Sequence, residues 1–135
     1  MKLYKLTTQD GLTRKGEDNE TTWGDGVEHT ASGEGDLCGP GWLHAYEDPL
    51  VAAFMNPAHT NITDPLLWEC DGDLGKREGE QKCGCTRLKT LRQIPLPQIT
   101  TDQRVEVAIR VARGILKQLN VVIATWDAWA DKWLD

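Results

Sequence analysis

The sequence predicts an α+β protein: a small mixed sheet with one embedded helix, followed by a C-terminal helical hairpin. Three observations carry this. Up to Pro97 the apolar residues fall in short runs divided by Gly, Pro and Asp-Gly signals, the pattern of strands and turns. Within that region Asp48 to Pro57 has a helix cap and helical spacing. Beyond Pro97 the apolar residues recur at three and four, the period of an amphipathic helix. The 135 residues read as one domain, an α+β core over 1–97 with the helical segment 98–135 packed on it.

Lys2 to Thr8 (KLYKLTT) is the first predicted strand. Alternation puts Leu3 and Lys5 on one side and Tyr4 and Leu6 on the other, so burial on both faces is expected. Asp10-Gly11 ends it with a turn. Gly16 to Gly35 is polar and glycine-rich and reads as a mostly irregular loop pinned by Trp23, with extended pieces at Thr21–Trp23 and Val27–Thr30. A loop of about 15 residues or more is uncommon unless it is functional or mobile.

Leu37 to Pro57 (LCGPGWLHAYEDPLVAAFMNP) is the densest stretch. Gly39-Pro40-Gly41 forces a turn, and Trp42 to Tyr46 reads as a short strand. Asp48 is a good N-cap, and Pro49 suits the first helical position, which needs no amide donor. Leu50, Ala53 and Phe54 set the helical period, and Pro57 is expected to close the helix at Met55 or Asn56. His59 to Pro65 reads as a linker.

Leu66 to Cys70 is a strand ended by Asp71-Gly72-Asp73, and a charged loop with Gly75 and Gly79 follows. Cys85 to Ile94 is another strand, although its apolar period is nearer three than two, so a bulge or helical turn competes. After Pro95 and Pro97, Thr100 to Gln103 has the form of a capping box. Val105, Ala108, Ile109, Ala112, Ile115, Leu116 and Leu119 then make one stripe, about five turns long. Asn120 marks a break. Val122, Trp126, Trp129 and Trp133 define a second short helix.

Composition excludes some functions. A hydrophobic fraction of 39% with 13 Gly and 6 Pro suits a loop-rich globular protein rather than a disordered chain. No run approaches the roughly 18 apolar residues of a membrane span, and MKLYKLTTQDG lacks the apolar core of a secretion signal. A cytoplasmic protein with no membrane partner is expected. The formal net charge of −6 argues against bulk nucleic acid, which wants clustered Lys and Arg. Positive charge gathers between Lys76 and Arg92, interrupted by Glu78 and Glu80. The scattered acids read as solvated surface, with DNA mimicry the weaker alternative.

Among residues that carry chemistry, Cys38, Cys83 and Cys85 are weak metal candidates. Structural zinc pairs its ligands two to four apart, twice, whereas Cys83-Gly84-Cys85 is tighter and no second pair follows. Cys38 and Cys70 read as buried free thiols, and disulfides are disfavoured in a reducing compartment. No metal and no cofactor is called for. His44 and Tyr46 share one side of their strand, where imidazole beside phenol can hold a ribose, a phosphate or a base edge, or can be tied to backbone. With Tyr4, Trp23 and Trp42 they are the candidate binding residues. GEGDLCGPG lacks dinucleotide-fingerprint spacing, and no catalytic residue is assigned. The tryptophans Trp126, Trp129 and Trp133 read either as core packing or as an oligomer contact.

Two resemblances bear on function. Tyr4-Lys5, the C-x-x-G-x-x-H-x-x-E-x-P-L pattern of Cys38, Gly41, His44, Glu47, Pro49 and Leu50, Trp68-Glu69, and Leu88 to Ile94 resemble a family of small phage- and prophage-encoded domains of unknown function. ITTDQRVEVAIRVA and AWADKWL (Ile99 to Ala112, Ala128 to Leu134) resemble the tails of the same type. The resemblance implies a phage-borne accessory protein that binds a host protein or small nucleotide, such as an inhibitor or sequestering factor against a defence component. The order of Tyr4, Gly39, Gly41, Tyr46, Ala52 and Phe54 is similar to the NAD-binding core of ADP-ribosyltransferases. The glutamate such transferases carry on a late strand is absent from Cys83 to Ile94, which implies nucleotide binding without transfer. A structural or oligomerisation module is the third reading.

Overall fold

The computed structural model describes residues 1–79 and 81–134. Glu80, one of the acids interrupting the positive stretch, and Asp135 lie outside them. The chain divides into two units, Met1–Pro97 and Gln98–Asp135. In chain order the first holds β1 (Lys2–Thr7), β2 (Leu12–Thr13), β3 (Thr21–Thr22), β4 (Glu28–Thr30), β5 (Leu43–Ala45), α1 (Pro49–His59), β6 (Leu66–Glu78) and β7 (Lys82–Ile94).

The α+β class is what the structure has, but every strand pairing among the described residues is antiparallel rather than mixed. The β6–β7 hairpin is the template. β1 pairs with β6, setting Leu3 opposite Cys70 and Lys5 opposite Trp68. β4 and β5 lie end to end along β7, against Arg87–Lys89 and Cys83–Cys85 respectively. Just past β5, Tyr46 exchanges two backbone hydrogen bonds of 2.8 Å with Tyr4 of β1. The path β1–β6–β7–β5 therefore returns to β1, and the sheet curls on itself. β2 and β3 form a separate two-stranded ribbon.

β6 does not stop at Asp71-Gly72-Asp73, and the charged segment after it is the strand's own continuation to Glu78. Arg87 explains why. It bonds Asp71 at 2.7 Å, Asp73 at 3.1 Å and Glu28 at 2.9 Å, which removes the repulsion among those acids. Gly72 lets the strands close, since a Cβ there would lie 2.9 Å from the Arg87 carbonyl oxygen. The irregular period of β7 comes from a bulge. Glu69 faces Arg92 but Cys70 faces Thr90, so Leu91 is the extra residue and points outward while Leu88 and Thr90 are buried.

Both faces of β1 are buried, as the alternation predicts. Leu3 joins a cluster with Trp23, Ala45, Trp68, Cys70, Cys83, Cys85 and Leu88. Leu6 joins another with Tyr46, Ala52 and Leu67. Trp23 pins its loop by donating from Nε1 to Thr13 Oγ1 at 3.0 Å. Thr21–Thr22 and Glu28–Thr30 are extended, so the loop is more ordered than its composition suggests.

α1 begins as expected, with Asp48 accepting from the Leu50 amide and Pro49 in the first turn. Two expectations fail. Leu50 is 56% exposed, while Ala53 of the same predicted period is buried together with Ala52, and Val51 and Met55 pack on the second cluster. The helix also runs through Pro57 to His59. Proline removes one helical donor and not the whole last turn. Asn56 holds that turn: its Oδ1 accepts from Thr60 Oγ1 and the Ile62 amide, and its Nδ2 donates to the Ile62 carbonyl. His59 is thus the helix's last residue rather than the start of a linker.

In the second unit, α2 (Thr101–Gln118) starts at the complete capping box of Thr100 and Gln103. Asn120 breaks the chain in a left-handed conformation (φ 55°), and α3 (Ala124–Leu134) follows. Arg113 and Asp131 join the two helices at 2.8 Å. Ile109 and Ala130 are buried, but Ile115 and Leu119 of the predicted stripe are 51% and 66% exposed. α3 is about 16 Å long against about 27 Å for α2, so it cannot cover the whole stripe. No described helix is long and apolar enough to cross a membrane.

Candidate functional site

The sheet's curl leaves a cleft in the first unit with a volume of about 880 Å³. Lys5, Trp23, Trp42, His44, Tyr46 and His59 all line it. Trp23, Trp42, His44 and Tyr46 are thus brought together, and Tyr4 is not. The Tyr4 side chain packs against the second cluster instead, and its backbone pairs with that of Tyr46.

Lys5 sits on the same face of β1 as Leu3 and is buried. Its Nζ donates to the His44 carbonyl at 2.6 Å and lies 4.9 Å from the centre of the Trp23 ring. Among the described residues no carboxylate pairs with it. Desolvation pushes its pKa down to about 8. Nothing singled out Lys5 in the sequence except its place beside Leu3 on a face expected to be buried, and that was the usable signal.

His44 Nε2 is bonded to the Leu37 carbonyl. Burial lowers its pKa, against the opposing effect of that bond. The ring is therefore tied to backbone, the structural one of the two roles weighed for it, while its own carbonyl anchors Lys5. Tyr46 Oη and His59 Nδ1 are hydrogen-bonded at 2.8 Å, and the rings stack at 5.8 Å. Burial raises the phenol to about 12, so Tyr46 stays protonated at neutral pH. His59 joins the site only because the helix passes Pro57.

Trp42 forms one wall. Its ring fits against Gly75 and Gly84, where added Cβ atoms would overlap it, and Nε1 donates to the Gly35 carbonyl at 3.0 Å. The charged lining is Lys5, Arg14, Lys15 and Lys82 against Asp10 and Glu17. Lys15–Asp10 (2.7 Å) and Arg14–Glu17 (3.7 Å) pair off. Lys82 lies 3.8 Å from Glu78 and 3.5 Å from Cys38 Sγ at the rim. The balance is positive in a chain of charge −6.

The cysteines do not form one group. Cys38 is exposed, whereas Cys70, Cys83 and Cys85 are buried. Cys83 and Cys85 share a side of β7, and their interaction raises Cys83 and lowers Cys85, while Cys83 Sγ donates to the Ala45 carbonyl at 3.4 Å. Burial pushes the Cys70 thiol up to about 12. Among the described residues no group of three or more His, Cys, Asp or Glu could hold a metal ion. Trp126, Trp129 and Trp133 follow one another along α3, with ring centres 6.4 and 6.2 Å apart.

No protein-family model, no curated protein and no solved structure matches the chain. The site's own chemistry defines its class: a cleft lined by aromatic side chains, with a net positive lining that includes a buried amine.

Proposed function

We propose that the protein acts by binding, and that its cleft takes a small anionic ligand with an aromatic ring, of the nucleotide class. The observation that carries this is Lys5, a buried amine in the cleft lining with no carboxylate among the described residues to neutralise it. A phosphate supplies the missing charge, and the half-buried Trp42 ring supplies a face for a base. Both acids of the lining, Asp10 and Glu17, are paired with bases, which favours binding over ADP-ribosyl transfer. In a phage- or prophage-borne protein acting in the host cytoplasm, such a site fits an accessory factor that sequesters a signalling nucleotide or inhibits a host defence component.

The test is thermal unfolding with NAD, ADP-ribose and cyclic nucleotides against uncharged adenosine. A ligand at 100 times its dissociation constant adds about 2.7 kcal/mol, and Lys5→Met is expected to abolish the shift. No shift with any nucleotide would sink the reading. Self-association through the helical unit is a second reading, favoured by the exposure of Trp129 and Trp133.

A further inference from the structure

We propose that Lys5 is a nucleophilic amine that captures an aldehyde- or ketone-bearing ligand in this cleft as an imine. This rests on the cleft being a ligand site, but asks more of Lys5 than countercharge. Three features of its placement point the same way. Among the described residues its Nζ makes one hydrogen bond, to the His44 carbonyl, out of the three that an ammonium can donate. Its other close neighbour is the face of Trp23, which stabilises a cation without accepting a full hydrogen bond. The ionisable groups that act on it are the thiols Cys70, Cys85 and Cys83 and one cation, Arg14, with no carboxylate among them. A lysine desolvated in this way, without a carboxylate, is the arrangement that activates an amine for carbonyl chemistry. With a pKa of about 8, roughly a tenth of it is free base at pH 7, hundreds of times the fraction of a solvent-exposed lysine.

The step balances without an oxidant or reductant. The Nζ lone pair attacks the carbonyl carbon, a C–N bond forms as the C–O π bond opens, and one N–H proton passes to the oxygen to give a neutral carbinolamine. The nitrogen lone pair then expels that hydroxyl as water with one further proton, and the remaining N–H proton is released. The products are an imine and water. Tyr46 and His59, hydrogen-bonded to each other, line the same cleft.

The test uses the full chain and pyridoxal 5′-phosphate, an aromatic and anionic aldehyde, followed by borohydride reduction and peptide mass mapping. The reduced adduct is expected at Lys5 in at least ten-fold excess over each of the other lysines, with a labelling rate that rises with a midpoint near pH 8. Labelling spread over the exposed lysines, or concentrated at Lys82 on the rim, would overturn the proposal. Because wild-type protein is mapped, the result does not depend on a variant folding. Pyridoxine 5′-phosphate, the matching alcohol, separates the two claims by calorimetry. If the alcohol binds and the aldehyde leaves Lys5 unlabelled, imine capture fails and the binding cleft stands. If the alcohol does not bind and the aldehyde does not label Lys5, both fail.

Discussion

Lys5 brings an ammonium into the core with one carbonyl and one indole face beside it, and burial holds its pKa near 8. Below about pH 8 both the folded and unfolded states carry the proton, and the full cost of burying charge is present. Between there and 10.5 only the unfolded chain keeps it, so stability rises with pH across that window. Lys5→Met keeps the apolar stem and removes the charge. It is expected to stabilise the protein at pH 7 by about 1–2 kcal/mol, after loss of the bond to His44. The gap should close as pH approaches 10. Urea unfolding of both proteins at pH 7 and pH 9.5 measures it, and a variant less stable than wild type at both pH values would show that Lys5 supports the fold. The sequence already held this residue, as a lysine on the Leu3 face of a strand buried on both sides. It did not hold His59, because a proline two residues earlier ordinarily ends a helix, and the Asn56 bonds that carry the turn past it depend on the fold around Ile62.

At the scale of the elements, local signals were legible where one or two residues decide the outcome. The Asp48 cap, the Thr100–Gln103 box and the Asn120 break were of this kind. Strand ends and the buried face of α1 were not, because they depend on partners distant in sequence, such as Arg87 reaching Asp71 and Asp73. Glycines divide along the same line. At Gly84 a Cβ would lie 2.6 Å from Leu37 Cδ1 and 3.0 Å from Trp42 Cβ, so Gly84→Ala is expected to cost about 1–3 kcal/mol by overpacking. Gly114, in α2, has nothing within 4 Å of an added Cβ. Gly114→Ala is expected to gain up to about 1 kcal/mol from helix propensity alone. Melting temperatures of the two variants should move in opposite directions. A neutral Gly84→Ala would mean that Trp42 is not held as tightly as its contacts indicate.

For the whole molecule, charge and apolar exposure are divided between the two units. Gln98–Asp135 carries five acids and five bases, so the net charge of −6 belongs entirely to Met1–Pro97. The neutral unit is also where Trp129 and Trp133 are 47% and 41% exposed. A contact made through this unit brings no net charge of its own, and tryptophan is favoured at the centre of such contacts. The protein is therefore expected to self-associate through α3, more strongly as salt screens the remaining repulsion. Trp129→Ser with Trp133→Ser should shift the sedimenting species to the mass of one chain. All the cleft-lining residues belong to the first unit, so the same double variant should keep the full nucleotide-induced rise in melting temperature. A wild-type protein that sediments as one chain at every concentration would remove the tryptophan contact. A double variant that is monomeric, folded and blind to nucleotide would instead show that the cleft is completed only when two copies meet, and Lys5 labelling of that variant would then fall together with its binding.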